Sequence, residues 1–348
     1  MASSDRSNNG QQPLIHAEGI WKIFGKNANK VLGTSDLELS RAELREKTGC
    51  VAAVRDVSFE VYPGEIFVVM GLSGSGKSTL VRTLIRLIEP TAGRVEMDGK
   101  DVTAASREEL LQLRRHTSSM VFQHFGLLAH RTVLDNVAFG LEVQGMSKAD
   151  RHARAHEMLE LVGLEDAASQ FPNELSGGMQ QRVGLARAFA VDPKVMLYDE
   201  PFSALDPLIR RDMQDEVIRL QHETGKTMVF ITHDLAEALR LGDRIAVMRD
   251  GRIVQLGTPE ELVGSPADEY VADFMRDIPR SHVLTLRWIM REPTGADDGP
   301  RVPVTTTVRN VVALLGESDR PLLATDGDRV VGVVDREAVL RAIAGEED

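Results

Sequence analysis

The stretch IFVVMGLSGSGKST, Ile66 to Thr79, decides the fold. A continuous apolar run bounded by glycines has the character of a strand buried on both faces, as in parallel sheets. Gly71, Gly74 and Gly76 then interrupt it, and Lys77, Ser78 and Thr79 open a helix. The spacing G-x-x-x-x-G-K-S lets the backbone N–H groups from Ser73 to Gly76 curl around phosphates. Lys77 can then reach the β- and γ-phosphates, and the Ser78 hydroxyl can face Mg²⁺. A glycine-rich turn without function is the bland alternative. The strand before it and the helix after it favour a nucleotide site.

Further along, VMLYDE ends an apolar strand on two carboxylates, Asp199 and Glu200. Adjacent carboxylates at a buried strand end repel each other and lose hydration unless a cation sits there. Asp199 is placed to hold Mg²⁺, directly or through water, and Glu200 to polarise an attacking water. The next strand ends in ITHD, so His233 arrives at the same edge and is read as reaching the γ-phosphate. Gln123, after MVF, is read as a contact to Mg²⁺ or to the water.

Composition bounds the rest. A chain of 348 residues with 42% hydrophobic and 27% charged residues is that of an ordinary globular protein of about two domains. A net charge of −12 argues against nonspecific nucleic-acid binding. The single Cys50 excludes an intrachain disulfide framework. MASSDRSNNGQQP, residues 1–13, reads as a disordered lead, and no apolar run approaches the roughly 20 residues of a membrane span. Any membrane work is therefore expected to pass through a partner, with this chain on the cytoplasmic side.

The pattern along the chain is coarse but regular. Leu14 to Phe24 reads as a strand. Within the charged stretch 25–50, Ser40 and Glu43 have capping-box spacing and Gly49 a stop signal, which predicts a short helix. Two strands are expected around Pro63-Gly64, and residues 107–190 are richer in helix. There Thr132 and Asp135 cap VLDNVAFGLEV, and Ala155, Met158, Leu159 and Val162 mark the buried face of another helix. His152 and His156 stand one turn apart, a spacing that can bind metal, but without an acidic or cysteine partner they read as a solvated face. From Lys194 onward strands and helices alternate, and Asp206-Pro207 is an N-cap pair. Such alternation predicts an α/β fold with a mostly parallel sheet.

A second glycine pair, in LSGGMQQRVGLARAFA (Leu175–Ala190), opens a helix whose first N–H groups form another anion site. With GLSGSGKST, Gln123, LSGGMQQRV, VMLYDE, SALD (Ser203–Asp206) and THD in order, the chain resembles the ATP-binding subunits of ABC transporters over roughly residues 14–275. The resemblance implies a P-loop NTPase domain over 14–278, with a mostly parallel sheet, an antiparallel β subdomain, a helical subdomain at about 107–190 and an insertion at 25–50. It implies ATP and Mg²⁺ as cofactors and a head-to-tail homodimer. Ser176, Gly177, Gly178 and Gln180 would cap the ATP held by the other subunit's phosphate loop, with Asp206 at that interface. An aromatic stacking on adenine is also implied, and Phe24 matches it. Trp21, on the opposite strand face, is the other candidate.

The insertion, ending KTGCVAAVRDVSFEV, together with FGLLAHRTVLDNVAFGLEVQG and FSALDPLIRRDMQDE, resembles importers of glycine betaine, proline and related osmoprotectants. That branch implies integral membrane permease subunits, an extracytoplasmic solute-binding protein and a peripheral place on the cytoplasmic face of the inner membrane. From Val304 to Ile343 the pattern reads strand, helix, strand, Asp326-Gly327 turn, strand, helix. This order is similar to one CBS motif, expected as a regulatory module over 281–345. In GVVDREA, Asp335 and Ala338 depart from that motif's nucleotide pattern. An importer ATPase for another small solute is one alternative. A non-transport ABC ATPase acting on nucleic acid or ribosomes is another, although no coiled-coil insertion, second ATPase domain or basic patch accompanies it. A plain P-loop kinase has no need of LSGG.

Overall fold

The structure is a computed structural model that describes residues 11–122, 126–294, 297–316 and 320–344. Most of the expected lead, residues 1–10, and Gln123 lie outside them. The chain folds as two compact units. One holds the residues up to Glu237 together with Met248–Ile253, the other Ala238–Val247 together with Val254 onward.

In the first unit β1 (Ile15–Phe24), β2 (Val51–Val61), β4 (Ala92–Met97) and β5 (Lys100–Asp101) form an antiparallel sheet in the order β2-β1-β4-β5. The second layer contains β3 (Ile66–Met70), β6 (Ser118–Val121), β7 (Val195–Asp199) and β8 (Thr227–Thr232), parallel and in the order β3-β8-β7-β6. Every residue of β3, β7 and β8 is buried, which explains their unbroken apolar runs. The turn at Pro63-Gly64 is no hairpin: it passes the chain from one sheet to the other, and Phe59 of β2 stacks on Phe67 of β3 with ring centroids 5.0 Å apart.

The charged insertion folds on β1 and β2. Ser40 and Glu43 make the predicted capping box of the helix Arg41–Thr48, and Gly49 ends it with φ +70°. Leu44 and Cys50 are fully buried there, with Ile23, Val31, Leu37 and Ala52, and Trp21 packs against this cluster. Cys50 is thus a packing residue: a Cβ on Gly25 would stand 2.7 Å from its sulfur.

Between residues 107 and 190 the chain is mostly helical, although β6 lies within this stretch and joins the parallel layer. The helix read over VLDNVAFGLEV breaks at Ala138 into Val133–Val137 and Phe139–Val143. Thr132 caps the first as predicted. On Lys148–Leu161 the expected apolar face is buried. His156 is exposed, but His152 is half-buried and lies 3.1 Å from Asp135, which corrects the reading that it lacks an acidic neighbour. No group of three or more potential metal ligands occurs among the described residues.

The second unit includes most of β9 (Arg244–Arg249) and β10 (Arg252–Gly257), the short helices Pro259–Gly264, Glu269–Met275, Arg280–Val283 and Leu286–Ile289, and a small sheet of β11 (Arg301–Pro303), β12 (Leu322–Asp326) and β13 (Arg329–Val334). β11 and β12 are parallel, and β12 and β13 form a hairpin around Asp326-Gly327. Helices Val308–Gly316 and Arg336–Ala344 complete the predicted element order, with the first strand ending one residue before Val304.

The insertion is a cooperative part of the first unit because its cluster includes Ile23 and Ala52 from β1 and β2. Leu44→Ala is expected to destabilise this unit by about 2–5 kcal/mol, the range for a fully buried leucine. A urea titration of the full chain checks this through the transition midpoint.

Candidate nucleotide site

Parallel pairing sets where the functional groups stand. Met70 of β3 lies opposite Thr232 of β8, and Asp199 of β7 opposite Ile231. The three strands end level, so the phosphate loop, the Asp199-Glu200 pair and His233 emerge at one edge. Open α/β sheets bind ligands at this carboxyl edge.

The phosphate loop requires its glycines sterically. A Cβ on Gly71 would lie 2.2 Å from the Met248 carbonyl oxygen, and one on Gly76 2.2 Å from that of Ala53. Gly71, Gly74 and Gly76 all have positive φ. Ser73 is exposed, whereas Ser75 is buried with a hydroxyl lacking a protein partner, a feature that fits a loop shaped to surround a polar ligand. Lys77 is buried, and its Nζ donates to the carbonyls of Gly71 (2.8 Å) and Leu72 (3.2 Å), 4.0 Å from a Glu200 oxygen. Burial holds its ammonium below the usual lysine range, opposed by the charges of Glu200 and Asp199. Thr79, one residue past Ser78 in the same helix (Lys77–Leu84), is half-buried.

The carboxylates are divided between partners. The Ser78 hydroxyl donates to Asp199 Oδ1 at 2.8 Å. Arg82 takes Oδ2 through Nε (3.1 Å) and Nη2 (2.9 Å). The sequence reasoning missed Arg82. It stands four residues after Ser78 on one helix, so i, i+4 spacing could have found it. Its presence also shows that the buried carboxylate is compensated by the chain's own cation as well as by any metal. A hydroxyl beside a carboxylate remains a hard oxygen pair of the kind Mg²⁺ prefers.

Glu200 has φ +48°, a conformation that an L-residue adopts at a cost, and its N–H donates to the Ile231 carbonyl at 3.1 Å. This sharp departure from β7 sets its carboxylate 3.1 Å from His233 Nδ1. A carboxylate oriented by an imidazole at a nucleotide edge can accept a proton from water.

Other predicted groups act locally. The Ser176 hydroxyl caps its own helix, Gly177–Ala190, by accepting from the Met179 N–H at 3.3 Å. Gln180 donates to the carbonyls of Pro172 and Leu175. Gly178 allows close packing, because a Cβ there would lie 2.7 Å from Ile209. Asp206 caps Pro207–Thr224 through the N–H groups of Leu208 and Ile209. Phe24 is 44% exposed, with Lys22 Nζ 4.9 Å from its ring centroid, whereas Trp21 packs against the cluster of the insertion.

Behind Glu200 and His233 lies a cavity of about 20 Å³, room for about one water, lined also by Ser203, Arg210, Thr232, Asp234 and Glu237. Arg210 bonds Asp234 at 3.3 Å, while its Nε and Glu237 Oε1 are buried without protein partners. Burial, with Asp234 adding to it, pushes the Glu237 carboxyl up to about 8. The folded protein therefore keeps a proton here that the unfolded chain releases from about pH 4.5 upward, and stability falls across that interval until the folded group also ionises. Glu237→Gln, neutral throughout, should flatten the decline in melting temperature between about pH 5 and about pH 8. Parallel melts of both proteins across this range decide it. Equal slopes contradict the assignment.

Comparisons with known proteins agree with this geometry. A family model described as ABC transporter matches residues 54–203. The chain is 55% identical to the glycine betaine transport ATP-binding protein OpuAA of Bacillus subtilis (strain 168), over 85% of this chain and 71% of that protein. It is 50% identical to the trimethylamine N-oxide transport system ATP-binding protein TmoW of Ruegeria pomeroyi, over 94% of this chain and 96% of that one. Among solved structures, a dimeric ATP-binding cassette in a post-hydrolysis state with ADP and Pi superposes with a TM-score of 0.59 at 32% identity, covering 70% of this chain and 98% of that one. Level strand ends, a glycine-bound phosphate loop and an acid pair beside it, in a chain so similar to these proteins, place it among the ATP-binding subunits of ABC transporters, as an ATPase.

Proposed function

We propose that this ATPase energises uptake of glycine betaine, proline or a related osmoprotectant, as one half of a head-to-tail homodimer on the cytoplasmic face of the inner membrane. The arrangement of the catalytic edge carries the ATPase chemistry. Lys77 and the N–H groups of Ser73 to Gly76 would hold the phosphates, with adenine on Phe24. Ser78, Asp199 and Gln123 would hold Mg²⁺, which supplies charge neutralisation between the β- and γ-phosphates. Glu200, held by His233, would take the proton of the attacking water.

The signature helix supports the dimer. Ser176, Gly177 and Gly178 present a second helix N-terminus, and Ser176 and Gln180 are engaged within their own loop. The related cassette is dimeric with ADP and Pi. In the dimer each signature helix, with Asp206 near the interface, would meet the other subunit's phosphate loop. No helix among the described residues is long and apolar enough to cross a membrane, so transport requires permease subunits. The solute, delivered by an extracytoplasmic binding protein, follows from the relatives: one serves glycine betaine and another trimethylamine N-oxide, both small polar molecules with a fully methylated nitrogen.

We assign residues 14–278 to the ATPase domain and 281–345 to a regulatory CBS-like module. In the tail, Val308 and Val311 are buried, but Val312, Leu314, Leu340 and Ile343 are 41–57% exposed on its two helices. Leu340 and Ile343, one turn apart on the second of these helices, are assigned to pairing with the same module of a second copy. Asp335 accepts from the Ala338 N–H at 2.8 Å and so caps its helix, where a nucleotide-binding module would need a hydroxyl.

Glu200→Gln is expected to cut turnover by about a hundredfold or more while ATP affinity is retained, and to trap an ATP-bound dimer in size-exclusion chromatography. Near-normal turnover would sink the base assignment. For the tail, Leu340→Glu with Ile343→Glu should weaken self-association measured without nucleotide by analytical ultracentrifugation, with basal ATPase within about twofold. Unchanged association removes the pairing assignment. Uptake of labelled glycine betaine by proteoliposomes holding the full complex tests the solute.

A further inference from the structure

The phosphate loop is gripped from outside by a segment that the reaction chemistry does not use. Arg41, first residue of the helix Arg41–Thr48 in the 25–50 insertion, donates from Nη1 to the Gly74 carbonyl. The insertion from which it reaches is itself fixed. Its apolar cluster joins β1 and β2, and Arg55, 5% exposed, donates to the carbonyls of Leu37 and Leu39 at 3.1 Å each. The Arg55 N–H donates to the Gly251 carbonyl at 2.8 Å, and the Gly251 N–H to the Ser75 carbonyl at 2.9 Å. Two successive loop carbonyls, Gly74 and Ser75, are therefore each held by a donor, and both donors trace back to Arg55.

We propose that the 25–50 insertion presets the phosphate loop for nucleotide, with Arg41 as a positioning residue. In a trans peptide the C=O and the following N–H point in opposite directions. Holding the Gly74 carbonyl outward turns the Ser75 N–H inward, where it meets the Leu72 carbonyl that also receives Lys77 Nζ. Holding the Ser75 carbonyl outward does the same for the Gly76 N–H. These bonds hold the loop in its curve, and a loop already curved loses less conformational entropy on binding phosphate. Because ground and transition states share these contacts, the grip favours both equally and acts on affinity rather than on turnover. A guanidinium on an exposed carbonyl contributes little to folding, so the effect is separable from stability.

The inference rests on the loop's holding ATP phosphates, and binding of a fluorescent ATP analogue to the full-length wild-type chain verifies that premise in the same assay. Arg41→Ala should raise the Kd for the analogue, and the KM for ATP, by about tenfold, with kcat at saturating ATP within about twofold. Arg41→Lys, which keeps one donor, should recover most of the affinity. The melting temperature without nucleotide should be unchanged, while the upward shift given by ATP shrinks. A Kd within twofold of wild type, a fall in kcat matching the rise in KM, or an unliganded melting temperature several degrees lower would each overturn the assignment.

Discussion

Everything in the catalytic edge depends on β3, β8 and β7 pairing in register and stopping together. A one-residue slip in β7 would reverse the faces of its side chains and turn Asp199 away from Ser78. Register is fixed because these strands are buried on both faces and Tyr198 stacks on Phe230 across the β7–β8 pair, 4.0 Å between centroids. Tyr198 lies one residue before the Asp199-Glu200 pair, so packing of the core and placement of the acid pair are the same event.

Charge is managed around this edge by sharing. Lys77 sits between two loop carbonyls and Glu200, Asp199 divides its oxygens between Ser78 and Arg82, and His233 holds Glu200. No carboxylate of the pair is buried alone, which would be prohibitive in so apolar a setting. The left-handed backbone at Glu200 is the local cost of bringing the second carboxylate around the strand end. Glu237 obeys the same electrostatics differently: buried beside Asp234, it keeps its proton.

The two glycine-rich helix starts have different structural duties. At the phosphate loop glycines are required because neighbouring backbone carbonyls leave no room for a Cβ, and the loop is braced by the insertion and by the turn at Gly251. At the signature, Gly178 lets the helix pack on Ile209, while Ser176 closes its own first turn. The first start is shaped inward by its own chain. The second is finished within its own first turn.

What the sequence by itself determined is what local chemistry and spacing encode. Buried strands show as unbroken apolar runs, the capping box at Ser40 and Glu43 and the N-cap at Asp206 follow from side-chain reach along one turn, and the phosphate-loop residues form a contiguous motif. The tail's element order was equally legible. Tertiary structure alone decided what depends on residues distant in the chain. Arg82 joined Asp199 and His152 joined Asp135 across separations of 117 and 17 residues, so each pairing waits on the packing of distant elements. The Pro63-Gly64 turn became a passage between sheets, because Phe59 and Phe67 pack face to face in different layers. Nothing in the local sequence marks Arg41, and its bond to Gly74 exists only because a cluster of apolar side chains folds the insertion back beside the loop. Periodicity reports which face of an element is buried; which neighbour covers it is fixed by packing.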